Sequence, residues 1–80
     1  MRFEAGNLIK VSNYANVWAG PSVGWRRIQT TPAIVLNSPV PLSYDPNLPG
    51  AEWIRFPELF CLVLTPTDGV VVVRNVDARP

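Results

Sequence analysis

The chain contains few of the side chains that carry out catalysis. It has no histidine, which is the commonest residue in general acid–base catalysis. Its single cysteine, Cys61, stands between Phe60 and Leu62, and a thiol in such an apolar run is usually an inert core residue. The acidic residues stand apart from one another and suit solvated turns better than a catalytic carboxylate pair. They are Glu4, Asp45, Glu52, Glu58, Asp68 and Asp77. We therefore predict that the protein is not an enzyme.

Metal ions and cofactors are not expected either. One thiolate without any histidine cannot supply the roughly four ligands of a structural zinc site. Gly20 and Gly24 are separated by Pro-Ser-Val, without the lysine and the following helix that a phosphate-binding loop needs. The remaining prediction is a protein that works by binding a partner.

Two clusters interleave tryptophan with arginine, and this pattern could serve nucleic-acid binding. They are Trp25-Arg26-Arg27 and Trp53-Ile54-Arg55-Phe56. Exposed aromatic rings on a β surface stack on bases, and arginine contacts phosphate. The net charge of the chain is only +1, so few phosphate contacts are available and affinity scales with their number. A nucleic-acid-binding β protein is therefore an alternative rather than the preferred hypothesis.

The composition favours a protein partner. Hydrophobic residues make up 48% of the 80 residues and charged residues only 16%, against about 25% in a typical globular domain. A chain of this length has a thin core and gains stability from a neighbour. Interfaces are enriched in aromatic residues and arginine. The predicted contact residues are Trp18, Trp25, Arg26, Arg27, Tyr44, Leu48 and Trp53. We expect a larger protein or a second copy of the chain as the partner.

The elements that must position these residues are predicted to be strands. Nine prolines exclude long helices in the middle of the chain, since each removes a helical hydrogen bond. Alternating or continuous apolar runs predict five strands, at 7–12, 25–30, 52–56, 59–65 and 70–74. The second either ends there or continues through Pro32 to residue 36. Asp68-Gly69 between the last two runs predicts a hairpin.

Two further segments need comment. The spacing of Leu8, Val11, Ala15 and Trp18 also fits one face of a helix capped by Asn7, which we weigh against the strand. Residues 38–50 hold four prolines and one glycine and predict a long, stiff loop. Such a loop loses little entropy on docking.

The chain opens with Gly-Asn-Leu-Ile-Lys-Val at 6–11, and residues 62–77 hold an apolar run, the Asp-Gly turn and a second apolar run. The first segment resembles the opening strand of small SH3-like barrels that tailed phages encode, and the second resembles their closing hairpin and final short turn. The resemblance implies an all-β fold, namely a small SH3-like barrel of about five strands with the proline-rich loop at 38–50. We expect a single domain over residues 1–80.

Taken together, these features predict a structural or accessory subunit, in the setting of a phage virion. SH3-type recognition of a proline-rich peptide is a further alternative, with Tyr14, Trp18 and Trp25 lining the groove, but the usual acidic loop is missing. The chain could also be the ligand and offer Pro39-Val-Pro-Leu to a partner. Its start is not a signal peptide and no run approaches a membrane span, so we expect a virion or host-cytoplasm location and no membrane.

Overall fold

The computed structural model describes residues 3–20, 23–40 and 56–80, and the long elements in these ranges are all β-strands. Seven strands form one antiparallel sheet in the order β3-β2-β6-β5-β4-β1-β7. They are β1 Leu8–Val11, β2 Ala15–Trp18, β3 Trp25–Ile28, β4 Thr31–Asn37, β5 Phe60–Thr65, β6 Gly69–Arg74 and β7 Ala78–Arg79. Single 3-10 turns precede β5 and β7, at Pro57–Leu59 and Asn75–Asp77. The all-β prediction is confirmed, and the strand count in the described ranges is seven rather than about five.

One face of the sheet carries the main core. Successive strand residues point to opposite faces, and the alternation is visible in β1, where Ile9 and Val11 are buried while Leu8 and Lys10 are exposed. The buried set from this face forms one cluster, and we call the face that carries it the inner face. Its members are Phe3, Ile9, Val11, Ala15, Val17, Ile28, Ala33, Val35, Cys61, Val63, Val71, Val73 and Ala78. The opposite surface of the sheet is the outer face.

The hairpin between β5 and β6 confirms the prediction from Asp68-Gly69. Thr65 pairs with Gly69, so three residues form the connection. Only Gly69 has a positive φ, of 69°, which glycine adopts at little cost. The Thr65 hydroxyl accepts a hydrogen bond from the Asp68 amide at 3.1 Å and donates one to the Gly69 carbonyl at 3.1 Å. The buried Thr65 side chain therefore fixes the turn that sets the register of both strands.

The helical alternative for residues 8–18 is wrong. This segment forms β1 and β2, and the chain turns between them at Ser12–Tyr14 with a φ of 63° at Tyr14. The Tyr14 amide donates to the Ile28 carbonyl at 2.8 Å. Two strands form instead of a helix because period-2 alternation buries Ile9, Val11, Ala15 and Val17 in one cluster. A helix would place Trp18 on the same face as Leu8, whereas the structure buries Trp18 and exposes Leu8.

The run from Trp25 to residue 36 is two strands rather than one. β3 pairs with β2, whereas β4 pairs with β1 and β5. Gln29 and Thr30 lie between them. The chain has to leave the ladder there because the two halves of the run pair with different strands. Pro32 lies inside β4, opposite Lys10 of β1.

The end of the chain returns to its beginning. The turn Asn75–Asp77 leads from β6 to β7, and β7 pairs with β1 through Val11 and Ala78. The Ser12 amide also donates to the Asp77 carbonyl at 2.7 Å. The strand predicted at 52–56 lies outside the described residues except for Phe56, which precedes the turn before β5 and is not in a strand. Most of the predicted loop at 38–50 also lies outside them.

Candidate functional site

Half of the outer face is covered by side chains of the chain itself. Trp18, Phe60, Leu62 and Val72 are buried there together with Val40, and we call this set the covered cluster. The half-buried Trp25 packs against it. Its ring lies 5.7 Å from the ring of Trp18 in an edge-to-face arrangement and 6.3 Å from that of Phe60, within the usual range for aromatic pairs. β5 and β6 are therefore buried on both faces at this end, as their continuous apolar runs predict.

The other half of the outer face is open. Leu8 pairs with Ile34, Ile34 with Leu64, and Leu64 with Val70. These four side chains thus form a row across β1, β4, β5 and β6, and we call it the open stripe. Their exposed fractions are 69% for Leu8, 45% for Ile34, 43% for Leu64 and 42% for Val70. Three strand spacings make the row about 14 Å long. A contiguous apolar row of this kind usually marks an interaction surface.

Two prolines open a groove along the stripe. The last described pair between β4 and β5 is Ile34 with Leu64, and continuing that register would place Pro32 opposite Pro66. The backbone N–H and C=O of Val35 bond to the segment before β1. Because the backbone groups of successive strand residues point to opposite edges of the strand, those of Pro32 point towards β5. Because proline has no N–H, the ladder cannot continue there. The described pairing of β4 with β5 ends at Ile34 and Leu64, and an open apolar groove of about 320 Å³ is lined there by Pro32, Ile34, Leu64 and Pro66.

A second groove, which is polar, lies around the connection between β3 and β4. It has a volume of about 560 Å³ and is lined by Arg26, Arg27, Ile28, Gln29, Thr30, Thr31, Thr67 and Asp68. Arg26 contacts Asp68 at 3.1 Å, with the carboxylate side chain only 11% exposed. This ion pair ties β3 to the turn between β5 and β6.

The structure places the predicted contact residues in three different environments. Trp18 is 5% exposed in the covered cluster and Trp25 is half-buried beside it. Arg26 and Arg27 are exposed at the polar groove. Tyr44, Leu48 and Trp53 lie outside the described residues. Sequence reasoning missed the open stripe, although the alternation in β1 already set Leu8 apart from the buried Ile9.

Two observations on the described residues concern metal binding and the reactivity of the thiol. Within residues 3–20, 23–40 and 56–80, no group of three or more histidine, cysteine or acidic side chains is placed to hold a metal ion. Burial raises the pKa of the Cys61 thiol from 9.0 to about 11, so the nucleophilic thiolate is disfavoured at neutral pH. In the same ranges no helix is both long enough and apolar enough to span a membrane.

Comparison of this chain with protein-family models, with curated proteins and with solved structures finds no match in any of the three.

Proposed function

We propose that the protein is a non-catalytic structural or accessory subunit that packs against a larger protein, or against a second copy of itself, through the open stripe. The observation that carries this proposal is the row of Leu8, Ile34, Leu64 and Val70, which stays exposed although the inner face and the covered cluster on the outer face are buried. The centre of a protein interface is apolar and depleted of charge, with a polar rim around it. The open stripe has this character, and its groove can receive a side chain of a partner.

An SH3-like barrel is the fold that we propose for this subunit. Three features support it: β1 pairs with both β4 and β7, the strands β4, β5 and β6 follow one another as neighbours, and a 3-10 turn separates β6 from the closing β7. In this interpretation the hairpin of β2 and β3 is an insertion between the first two barrel strands. The resemblance of the chain to small barrels of tailed phages makes a virion the proposed setting.

The second candidate function is nucleic-acid binding at the polar groove, which Arg27 lines with an exposed guanidinium. Arg26 is already engaged by Asp68, and Trp25 packs its ring on Trp18 and Phe60. Both contacts reduce what the site can offer to phosphates and bases. Titration with a single-stranded oligonucleotide at low salt tests this candidate. Tryptophan quenching that Arg27→Ala removes would favour it over the open stripe.

Binding of an apolar dye tests the proposed subunit function. We would titrate bis-ANS into the wild-type protein and into the variant Ile34→Thr/Leu64→Thr, and follow sedimentation over a range of protein concentrations. Threonine is β-branched and suits an exposed strand position, so the variant should remain folded. The matched control is Val23→Thr, which alters an exposed valine in the connection between β2 and β3.

We expect the double variant to lose dye binding that the wild type and Val23→Thr both show. If the wild type forms a concentration-dependent dimer, the double variant should lose the dimer and Val23→Thr should keep it. A dimer that the double variant abolishes would identify the partner as a second copy. A monomer whose dye binding depends on the stripe would indicate another protein. A monomer that binds no dye at the stripe would contradict the proposed function.

A further inference from the structure

The charged residues of the described strands are all basic. They are Lys10, Arg26, Arg27, Arg74 and Arg79. The described acidic residues lie instead in turns and connections, at Glu4, Glu58, Asp68 and Asp77. Asp68 binds Arg26, and Asp77 binds Arg74 at 2.9 Å. Lys10, Arg27 and Arg79 are thus the strand cations that have no ion pair within the described part of the chain.

Two of these cations lie together beside the open stripe. Lys10 and Arg79 are direct cross-strand neighbours in β1 and β7, and both are exposed. Lys10 shares the outer face with Leu8, two residues before it, and lies opposite Pro32 of the groove. Like charges placed directly opposite each other in a sheet destabilise it slightly. The apolar groove therefore has a cationic end that an acidic partner would stabilise.

We propose, building on the subunit function above, that the open stripe binds an extended segment of a different protein in which an apolar and an acidic residue stand two positions apart. The apolar side chain enters the groove between Pro32 and Pro66, and the carboxylate reaches Lys10 and Arg79. Residues i and i+2 of a strand point to the same side and lie about 7 Å apart. Lys10 lies opposite Pro32, and the groove lies on the other side of Pro32. An extended segment that crosses β1 and β4 therefore matches both features, since one and a half strand spacings are also about 7 Å.

Charge and surface character together disfavour the other occupants. A second copy of the chain carries its described acids only in turns and connections, so none of its described strands can place an acid against Lys10 and Arg79. A nucleic acid would leave the four apolar side chains of the stripe without a matching surface.

Labelled peptides test the proposal by fluorescence anisotropy. The probe is a heptapeptide of sequence Leu-Thr-Glu-Thr-Leu-Thr-Glu, and the matched peptides carry lysine for glutamate or serine for leucine. We expect the leucine–glutamate peptide to bind about tenfold more tightly than the leucine–lysine peptide at low salt. This preference should shrink as salt screens the charges. The serine–glutamate peptide should not bind measurably.

Variants locate the effect on the protein. Lys10→Glu should abolish or reverse the preference for glutamate, whereas the control Arg27→Glu, an equal change of charge on an exposed strand residue, should leave it unchanged. Ile34→Thr/Leu64→Thr should lose binding of both leucine peptides. Equal binding of the glutamate and lysine peptides would overturn the acidic partner, while stripe-dependent dye binding would still uphold the subunit function. Dimerisation through the stripe, or tighter binding to vesicles of anionic phospholipid than to the peptide, would also overturn it.

Discussion

The two halves of the outer face differ in exposure although β5 and β6 contribute to both. Leu62 and Leu64 stand two residues apart on β5, yet Leu62 is 8% exposed and Leu64 is 43% exposed. On β6, Val72 is fully buried while Val70 is 42% exposed. The residue types are the same in each pair and so is the face. The difference must therefore come from what the neighbouring segments place over them.

The hairpin of β2 and β3 supplies the cover on one half only. β2 meets β6 at a single described pair, Trp18 with Val72, and Trp18 brings Trp25 with it. Beyond Trp18 the chain continues as Ala19 and Gly20, which carry no large side chain. The covered part of the outer face therefore ends at Trp18 and Trp25. Burial on this face is thus decided by the hairpin, together with Val40 after β4, rather than by the sequence of β5 and β6.

The largest expected effect comes from substituting the same residue type on each half. Leu62→Ala removes a buried side chain from the covered cluster and should lower the free energy of unfolding by about 2–5 kcal/mol. Leu64→Ala, two residues along the same strand, should cost less than about 1 kcal/mol because its side chain is already hydrated. Urea unfolding of both variants measures the two values. Equal losses would mean that the open stripe is not open in solution.

The next effect concerns the inner face, which lies beneath both halves. Burial raises the pKa of the Cys61 thiol from 9.0 to about 11. Between these two pH values the thiol is protonated in the folded protein and deprotonated in the unfolded chain. The corresponding stability is fully present below about pH 9 and is lost as the pH rises through about 11, by about 2–3 kcal/mol in total.

The control for this pH dependence is Cys61→Ala, in which the thiol is absent and the other titrating groups are unchanged. The free energy of unfolding of the wild type relative to that of the control, measured by urea denaturation, should fall by about 2–3 kcal/mol between pH 8 and pH 11. The substitutions Ile34→Thr and Leu64→Thr on the open stripe should leave this fall unchanged, because Cys61 points to the inner face. A constant difference between wild type and control would contradict the burial of the thiol.

The smallest expected effect tests how firmly the cover is held. Arg26→Ala removes the ion pair to Asp68 that ties β3 to the turn after β5. Because the arginine is half exposed, the loss should be only a few tenths to about 1 kcal/mol. Acrylamide quenching of tryptophan should rise slightly as the hairpin loosens over the covered cluster. Arg27→Ala is the matched control, and an equal change in both variants would show that this ion pair does not hold the cover.

The local elements were predictable wherever one physical signal dominated. Apolar runs and the Asp68-Gly69 turn located β5 and β6 to within a residue, and alternation located β1. β2 was missed because the spacing of Leu8, Val11, Ala15 and Trp18 fits two periods at once, and long-range pairing with β3 and β6 decides between them. The break before β4 also depends on which strands pair with each half of the run.

The candidate site was less predictable than the fold. An apolar strand residue carries no mark of whether another segment will cover it, so Leu64 could not be told from Leu62. The tryptophans predicted as contacts, Trp18 and Trp25, are instead largely occupied in covering Val72 and Phe60. What the sequence does contain is the alternation that sets Leu8 and Lys10 on the face opposite to Ile9.

The paired prolines of the groove also bear on aggregation. Where two neighbouring strands separate, their free backbone groups ordinarily invite a strand from another molecule, and repeated pairing of this kind leads to fibres. Pro32 and Pro66 have no amide hydrogen to donate at this point. An incoming strand therefore finds side-chain contacts in the groove but only an interrupted backbone ladder. A protein with such an apolar surface can in this way expose a binding groove without turning it into a template for uncontrolled polymerisation.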